Sequence, residues 1–160
     1  FLFEAAGPGS TYVFSPKAHE TLVRVLSGLD YSEIGVHDWY VYALARSIGL
    51  TWVIGEEPTL EYRQHGGNVQ GANSGSGARD ARMAKLRNGF YRTQFILTAR
   101  AAQKIGSFDE RRQRQLRAIL GELEGQGAAS RLRFALRWRQ IRRDPVEGLK
   151  LAAARVLGVW

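Results

Sequence analysis

The sequence predicts an α/β first part followed by a mostly α-helical tail. Three observations carry this. Helix-like and strand-like patterns follow one another between residues 15 and 64. A glycine-rich run, GGNVQGANSGSG, occupies residues 66–77. Beyond it only helical periodicity appears. Two parts are therefore expected, residues 1–73 and a basic helical tail, residues 74–160.

The elements follow from local chemistry. Ser15-Pro16 reads as a helix start, since serine caps and proline suits the first helical position. That helix is expected to reach Leu26, with Leu22, Val23, Leu26 and Leu29 on its buried side. After a polar loop over residues 30–36, Asp38 opens a second helix, Trp39 to Ile48, which Gly49 closes. This helix is apolar nearly all round, which predicts deep burial. Thr51 to Ile54 is rich in β-branched and aromatic residues and reads as a strand. Glu56-Glu57-Pro58 breaks it, and Thr59 to Gln64 reads as another. In the tail, one long helix is expected from Ala78 to Ile105, kinked near Asn88-Gly89. Ser107 or Asp109 caps the next, with Leu116, Ile119, Leu120 and Leu123 on one face. Residues 129–143 and 145–158 give two more, split by Asp144-Pro145.

Composition narrows the function classes. The 160 residues are 44% hydrophobic and 24% charged, ordinary for a globular chain with a real core. With no cysteine there is no disulfide framework and no thiolate metal site. The apolar Phe1-Leu2-Phe3 reads as a buried segment or the middle of a strand. No methionine begins the chain, so it is expected to be cut from a longer protein. The net charge of +8 is uneven: residues 1–77 carry four Lys/Arg against eight Asp/Glu, residues 78–160 nineteen against seven. Such asymmetry suggests different partners for the two parts.

Asp38 is the first candidate for chemistry. A carboxylate at a helix start can cap the backbone N–H groups of the first turn, or it can act as a general base; the two roles are compatible. His37 precedes it and Trp39 follows. Arg63 and His65 alternate with Gln64, so on a strand they share one face, as a pair meeting an anion would.

The ordered set GPGST, HDW, a helix, a strand, EEP and LEYRQHGGN resembles the acceptor half of family 2 glycosyltransferases, the rhamnosyltransferase-like branch above all. The resemblance covers roughly residues 7 to 73. It implies the C-terminal part of a GT-A fold and an inverting transfer of a sugar, rhamnose first, from a nucleotide-sugar to a glycan or lipid-linked acceptor. Asp38 then matches the catalytic base. Arg63 and His65 fall in the segment near the donor diphosphate, and His65 is a possible ligand of a divalent metal, Mg2+ or Mn2+. Gly9, Ser10, Thr11, His37 and Trp39 fall on the acceptor side. Ser10 stands where the family often has cysteine. The family's Asp-x-Asp metal motif is absent, as are both glycine-rich nucleotide fingerprints, GxGxxG and GxxxxGK[ST]. The donor-binding half is therefore expected upstream, and the chain alone is expected to be inactive.

The tail interleaves Arg131, Arg133, Arg137, Arg139, Arg142 and Arg143 with apolar residues. Basic amphipathic helices suit an anionic membrane surface, with Phe134, Trp138 and Trp160 as candidate interfacial anchors. They also suit nucleic acid, and they equally describe packed helices with solvated arginines. The resemblance favours the membrane, hence a cytoplasmic enzyme lying peripherally on the inner face of the plasma membrane. The rival function is a basic helical module that binds membrane or nucleic acid without catalysis.

Overall fold

A computed structural model describes residues 2–55, 57 and 76–160, the side chains of residues 76 and 78 excepted. Among the described residues there are eight α-helices: α1 Pro16–Ser27, α2 His37–Ser47, α3 Ser76–Arg87, α4 Phe90–Ile105, α5 Glu110–Glu124, α6 Ala128–Ala135, α7 Trp138–Ile141 and α8 Pro145–Val156. A single 3-10 turn, Gly9–Thr11, precedes them.

No strand occurs among the described residues, which overturns the α/β expectation and the GT-A fold part built on it. Thr51–Gly55 has no regular structure. A strand needs a neighbour with which to exchange backbone hydrogen bonds, and none of the described residues provides one beside this segment. Its aromatic residue packs instead: Trp52 sits edge-on to Tyr12, Phe14 and Tyr42, with ring centroids 4.7, 5.8 and 5.0 Å away. Strand-like composition there reflects side-chain packing rather than ladder formation. The second expected strand, Thr59 to Gln64, lies outside the described residues, as does nearly all of the glycine-rich run.

The helix starts follow from the caps. Ser15 accepts from Ala18 N at 3.3 Å, Asp109 from Arg112 N at 2.8 Å and Asp144 from Val146 N at 2.8 Å. Proline stands at the first position of α1 and α8. The long helix expected over 78–105 is broken rather than kinked. Gly89 adopts φ 79°, which no side chain takes readily, so α3 ends and α4 restarts there. Val23, expected on the buried side of α1, is half exposed, and Leu22 alone of that helix is buried.

The main core gathers around four rings. Phe3 meets Phe95 at 4.8 Å and Phe134 at 5.7 Å, and Trp160 meets the same two at 5.9 and 5.3 Å, all edge to face. Residues from both sides of position 73 enter this core. Phe134 and Trp160 are thus interior, not the interfacial anchors that their place in a basic tail suggests. A smaller cluster of Tyr40, Leu44 and Ala101 joins α2 to α4, with Leu26 and Leu29 against it.

Arg155 ties the helical part together. Only 1% of it is exposed. Its guanidinium donates to the carbonyls of Trp160, Glu122, Leu123 and Gly125, at 2.7, 3.2, 3.3 and 2.6 Å. Three of these close the end of α5, where helix geometry leaves carbonyls without partners. Arg92 from α4 binds the same end, donating to Leu123 O and Glu124 O at 2.7 and 2.9 Å. Burial, with Arg92 and Arg131 nearby, pushes the Arg155 guanidinium down to about 10, so it stays charged at neutral pH.

Arg155→Met should destabilise the chain by about 3 kcal/mol or more, because several buried carbonyls lose a charged donor together. Arg155→Lys should recover only part, since an ammonium cannot span the same fork. Urea unfolding followed by helical circular dichroism measures both. A loss below about 1 kcal/mol for the methionine variant would contradict this account.

Candidate functional site around Asp38

The 3-10 turn Gly9–Thr11 abuts the first turn of α2. A β-carbon at Gly9 would overlap Asp38 Oδ1 and lie 3.0 Å from His37 Nε2. Only glycine therefore lets this backbone come so close to the carboxylate. The hydroxyl of Tyr12 donates to Asp38 O at 3.2 Å and pins the turn to the helix start. Thr11 Oγ1 is taken up within the turn, donating to Pro8 O at 2.7 Å.

Asp38 is not the cap that its position suggests. Val36 holds the N-cap place and Asp38 lies inside the first turn, where the positive end of the helix dipole favours a carboxylate. His37 Nε2 approaches Asp38 Oδ1 to 2.6 Å, with the histidine side chain 81% exposed and the aspartate 27%. Oδ1 is buried, and among the described residues it has no hydrogen-bond donor. Buried polar atoms are normally partnered; this oxygen is instead enclosed by the Gly9 backbone and the His37 ring.

The flank of Asp38 is aromatic. Tyr42, one turn further along α2, contacts Trp52, and Tyr12 and Phe14 complete the group. Burial pushes the Tyr12 hydroxyl above the usual phenol range. The Asp38 charge adds to this, while hydrogen bonding at Ala6 and Gly7 opposes it. Tyr12, Phe14, Tyr42 and Trp52 were not singled out from sequence. Two signals pointed to them: the alternation Tyr12-Val13-Phe14, whose middle residue is 95% exposed, and the four-residue step from Asp38 to Tyr42.

Gly9, His37 and Asp38 come together in space, with the exposed Ser10 and Thr11 on the same turn. Trp39 faces the other way. It stacks on Phe95 at 5.2 Å and 10°, lies 5.6 Å from Tyr91 and takes the Arg142 guanidinium over its ring at 5.6 Å. Arg63 and His65 lie outside the described residues.

The chain is similar to the dTDP-rhamnosyl transferase RfbG of Shigella flexneri, 31% identical over 165 residues. The match takes in 100% of this chain and 52% of that protein, so the chain spans about half the length of the relative. This likeness supports a glycosyltransferase family. No family model matches, and no solved structure matches.

Gly9→Ala should destabilise the chain by about 1–3 kcal/mol, the usual cost of overpacking. The double variant Gly9→Ala with Asp38→Ala should recover most of that loss, because the overlapping oxygen is gone. Thermal melts of the four-member cycle give the coupling. Simple additivity would show that Gly9 and Asp38 do not press on one another.

Proposed function

We propose that this chain serves an inverting transfer of a sugar, rhamnose first, from a nucleotide-diphosphate sugar to a hydroxyl of a glycan or lipid-linked acceptor, as in family 2 glycosyltransferases. The observation that carries the reading is the likeness, along the whole chain, to a dTDP-rhamnosyl transferase. The geometry supports it at Asp38, whose carboxylate is not consumed in capping its own helix.

In this reading Asp38 accepts the proton of the acceptor hydroxyl as that oxygen bonds to the anomeric carbon. The bond from that carbon to the diphosphate breaks, and the electron pair leaves with the diphosphate. His37 holds the carboxylate from its solvent side. The Gly9 backbone, Ser10 and Thr11 line the acceptor approach. Trp39 acts on the acceptor side through the orientation its stack on Phe95 gives to the first turn of α2. Arg63 and His65 are assigned, by resemblance, to the charge that grows on the donor diphosphate.

A divalent ion, Mg2+ or Mn2+, belongs to the proposal as a partner of that diphosphate. Among the described residues no three His, Asp or Glu side chains converge to hold one. Its ligands are therefore sought elsewhere, His65 among them, and no step above runs through it. Contact with a membrane is also proposed. The contact proposed is peripheral, on the inner face of the plasma membrane; among the described residues no helix is long and apolar enough to cross a bilayer. Nucleic acid is not favoured as a partner.

The test is sugar transfer from dTDP-rhamnose, with UDP- and GDP-sugars beside it, to a panel of glycan hydroxyls. It is run with the chain and with any longer protein that contains it. Where transfer occurs, Asp38→Asn should lower turnover by ~10²–10⁴ while donor binding stays near normal. Unchanged turnover would remove Asp38 from the chemistry. Arg63→Ala and His65→Ala should instead weaken use of the donor at saturating acceptor. A change confined to the acceptor constant would contradict their assignment.

A further inference from the structure

Helix α8 is apolar on two sides. Gly148, Ala152 and Arg155 face the interior. Val146, Leu149, Ala153, Val156 and Leu157 are all exposed, the four larger ones between 46% and 78%. Their spacing of three and four residues places them on one outward stripe of the helix. On α6, which packs against α8, Leu132 is exposed, as is Leu136 at its C-cap one turn on, with the exposed Arg133 on the same outward side. A stripe of this kind on an otherwise folded surface is uncommon and marks contact with something apolar.

Charge decides what that is. Residues 128–160 hold eight Lys/Arg against two Asp/Glu. Arg137 is tied to Glu122, Arg143 to Glu4 and Lys150 to Glu147. Arg133 bonds only the Ser130 hydroxyl, and Arg139 lies over the Trp138 ring, 4.8 Å from its centroid. These two exposed guanidinium groups thus have no carboxylate partner among the described residues. Leu132 and Leu136 beside the uncompensated Arg133 match the boundary between acyl chains and anionic headgroups. A phosphate backbone has no use for the aliphatic stripe. A second copy would bring two net-positive surfaces together.

We propose that the outward stripe of α8, with Leu132, Leu136 and Arg133 of α6, docks on an anionic lipid surface. This rests on the peripheral-membrane part of the reading above and assigns it to one face, independently of sugar transfer.

The test is co-sedimentation of the 160-residue chain with vesicles of phosphatidylcholine, alone or mixed with phosphatidylglycerol, over a range of salt. Binding to the mixed vesicles that weakens with salt is expected. Leu149→Gln with Val156→Gln should reduce it about tenfold or more with the melting temperature unchanged. Leu132→Gln with Leu136→Gln provides an independent pair should the first disturb folding. Arg133→Gln with Arg139→Gln should lower binding to anionic vesicles only. If the chain binds anionic vesicles and both aliphatic pairs leave that binding intact, peripheral membrane contact stands and this face is wrong. Absence of any preference for anionic vesicles removes both. A dimer in sedimentation without lipid that the Leu149/Val156 pair abolishes assigns the stripe to a second copy instead. Equal binding to duplex DNA, unchanged by the aliphatic variants, leaves only unspecific basic charge. Either result overturns the proposal.

Discussion

The helical part of this chain depends on one buried cation. Arg155 stands where α8 passes the end of α5, and its guanidinium satisfies carbonyls from that end and from the terminal Trp160. Without it the carbonyls of Trp160, Glu122 and Gly125 would lose this donor, while Leu123 O would keep Arg92; each buried carbonyl left unpaired costs about 1–3 kcal/mol. The same contact fixes Trp160, whose ring lies 5.4 Å from the guanidinium and edge-on to Phe95 and Phe134. Helix end, chain end and aromatic core are therefore set by a single side chain.

Other arginines of the basic part also act as cross-links. Arg137 forms a paired contact with the nearly buried Glu122, at 2.7 and 2.9 Å. Arg100 reaches Glu124 at 2.7 Å. Arg143 pairs with Glu4 at 2.9 Å and donates to Ala5 O. The planar fork of arginine suits such two-point contacts better than an ammonium does. Much of the positive charge that composition assigns to a partner is thus directed inward.

What was legible in the sequence was local. Ser15, Asp109 and Asp144 cap helices because a short polar side chain and the first-turn N–H groups lie within three residues of each other. Asp38 has the same local form, yet Val36 takes its place at the cap, and the turn at Gly9 packs onto the carboxylate from elsewhere in the chain. Nothing near Asp38 in sequence announces that. The expected strand at Thr51–Ile54 failed for the same reason. Its residue types favour a pleated neighbour, and tertiary contact gave Trp52 three aromatic rings instead. Phe134, Trp138 and Trp160 look alike in a basic helical sequence. Only packing separates the two buried rings from the half-buried Trp138.

The site and the helical part are mechanically one. Two segments meet at Asp38: the stretch that leads into the Gly9 turn, and the first turn of α2. Glu4 and Ala5 on the first segment are held by Arg143. Trp39 on the second is held between Phe95, Tyr91 and the guanidinium of Arg142. Burial lowers the Arg142 guanidinium from its usual range, with the charges of Glu4 and Glu147 opposing that fall. Adjacent arginines, just after α7, thus grip both sides of the carboxylate. Residues of α4 and the arginines after α7, none of them a candidate catalytic group, thus hold both segments that meet at the carboxylate.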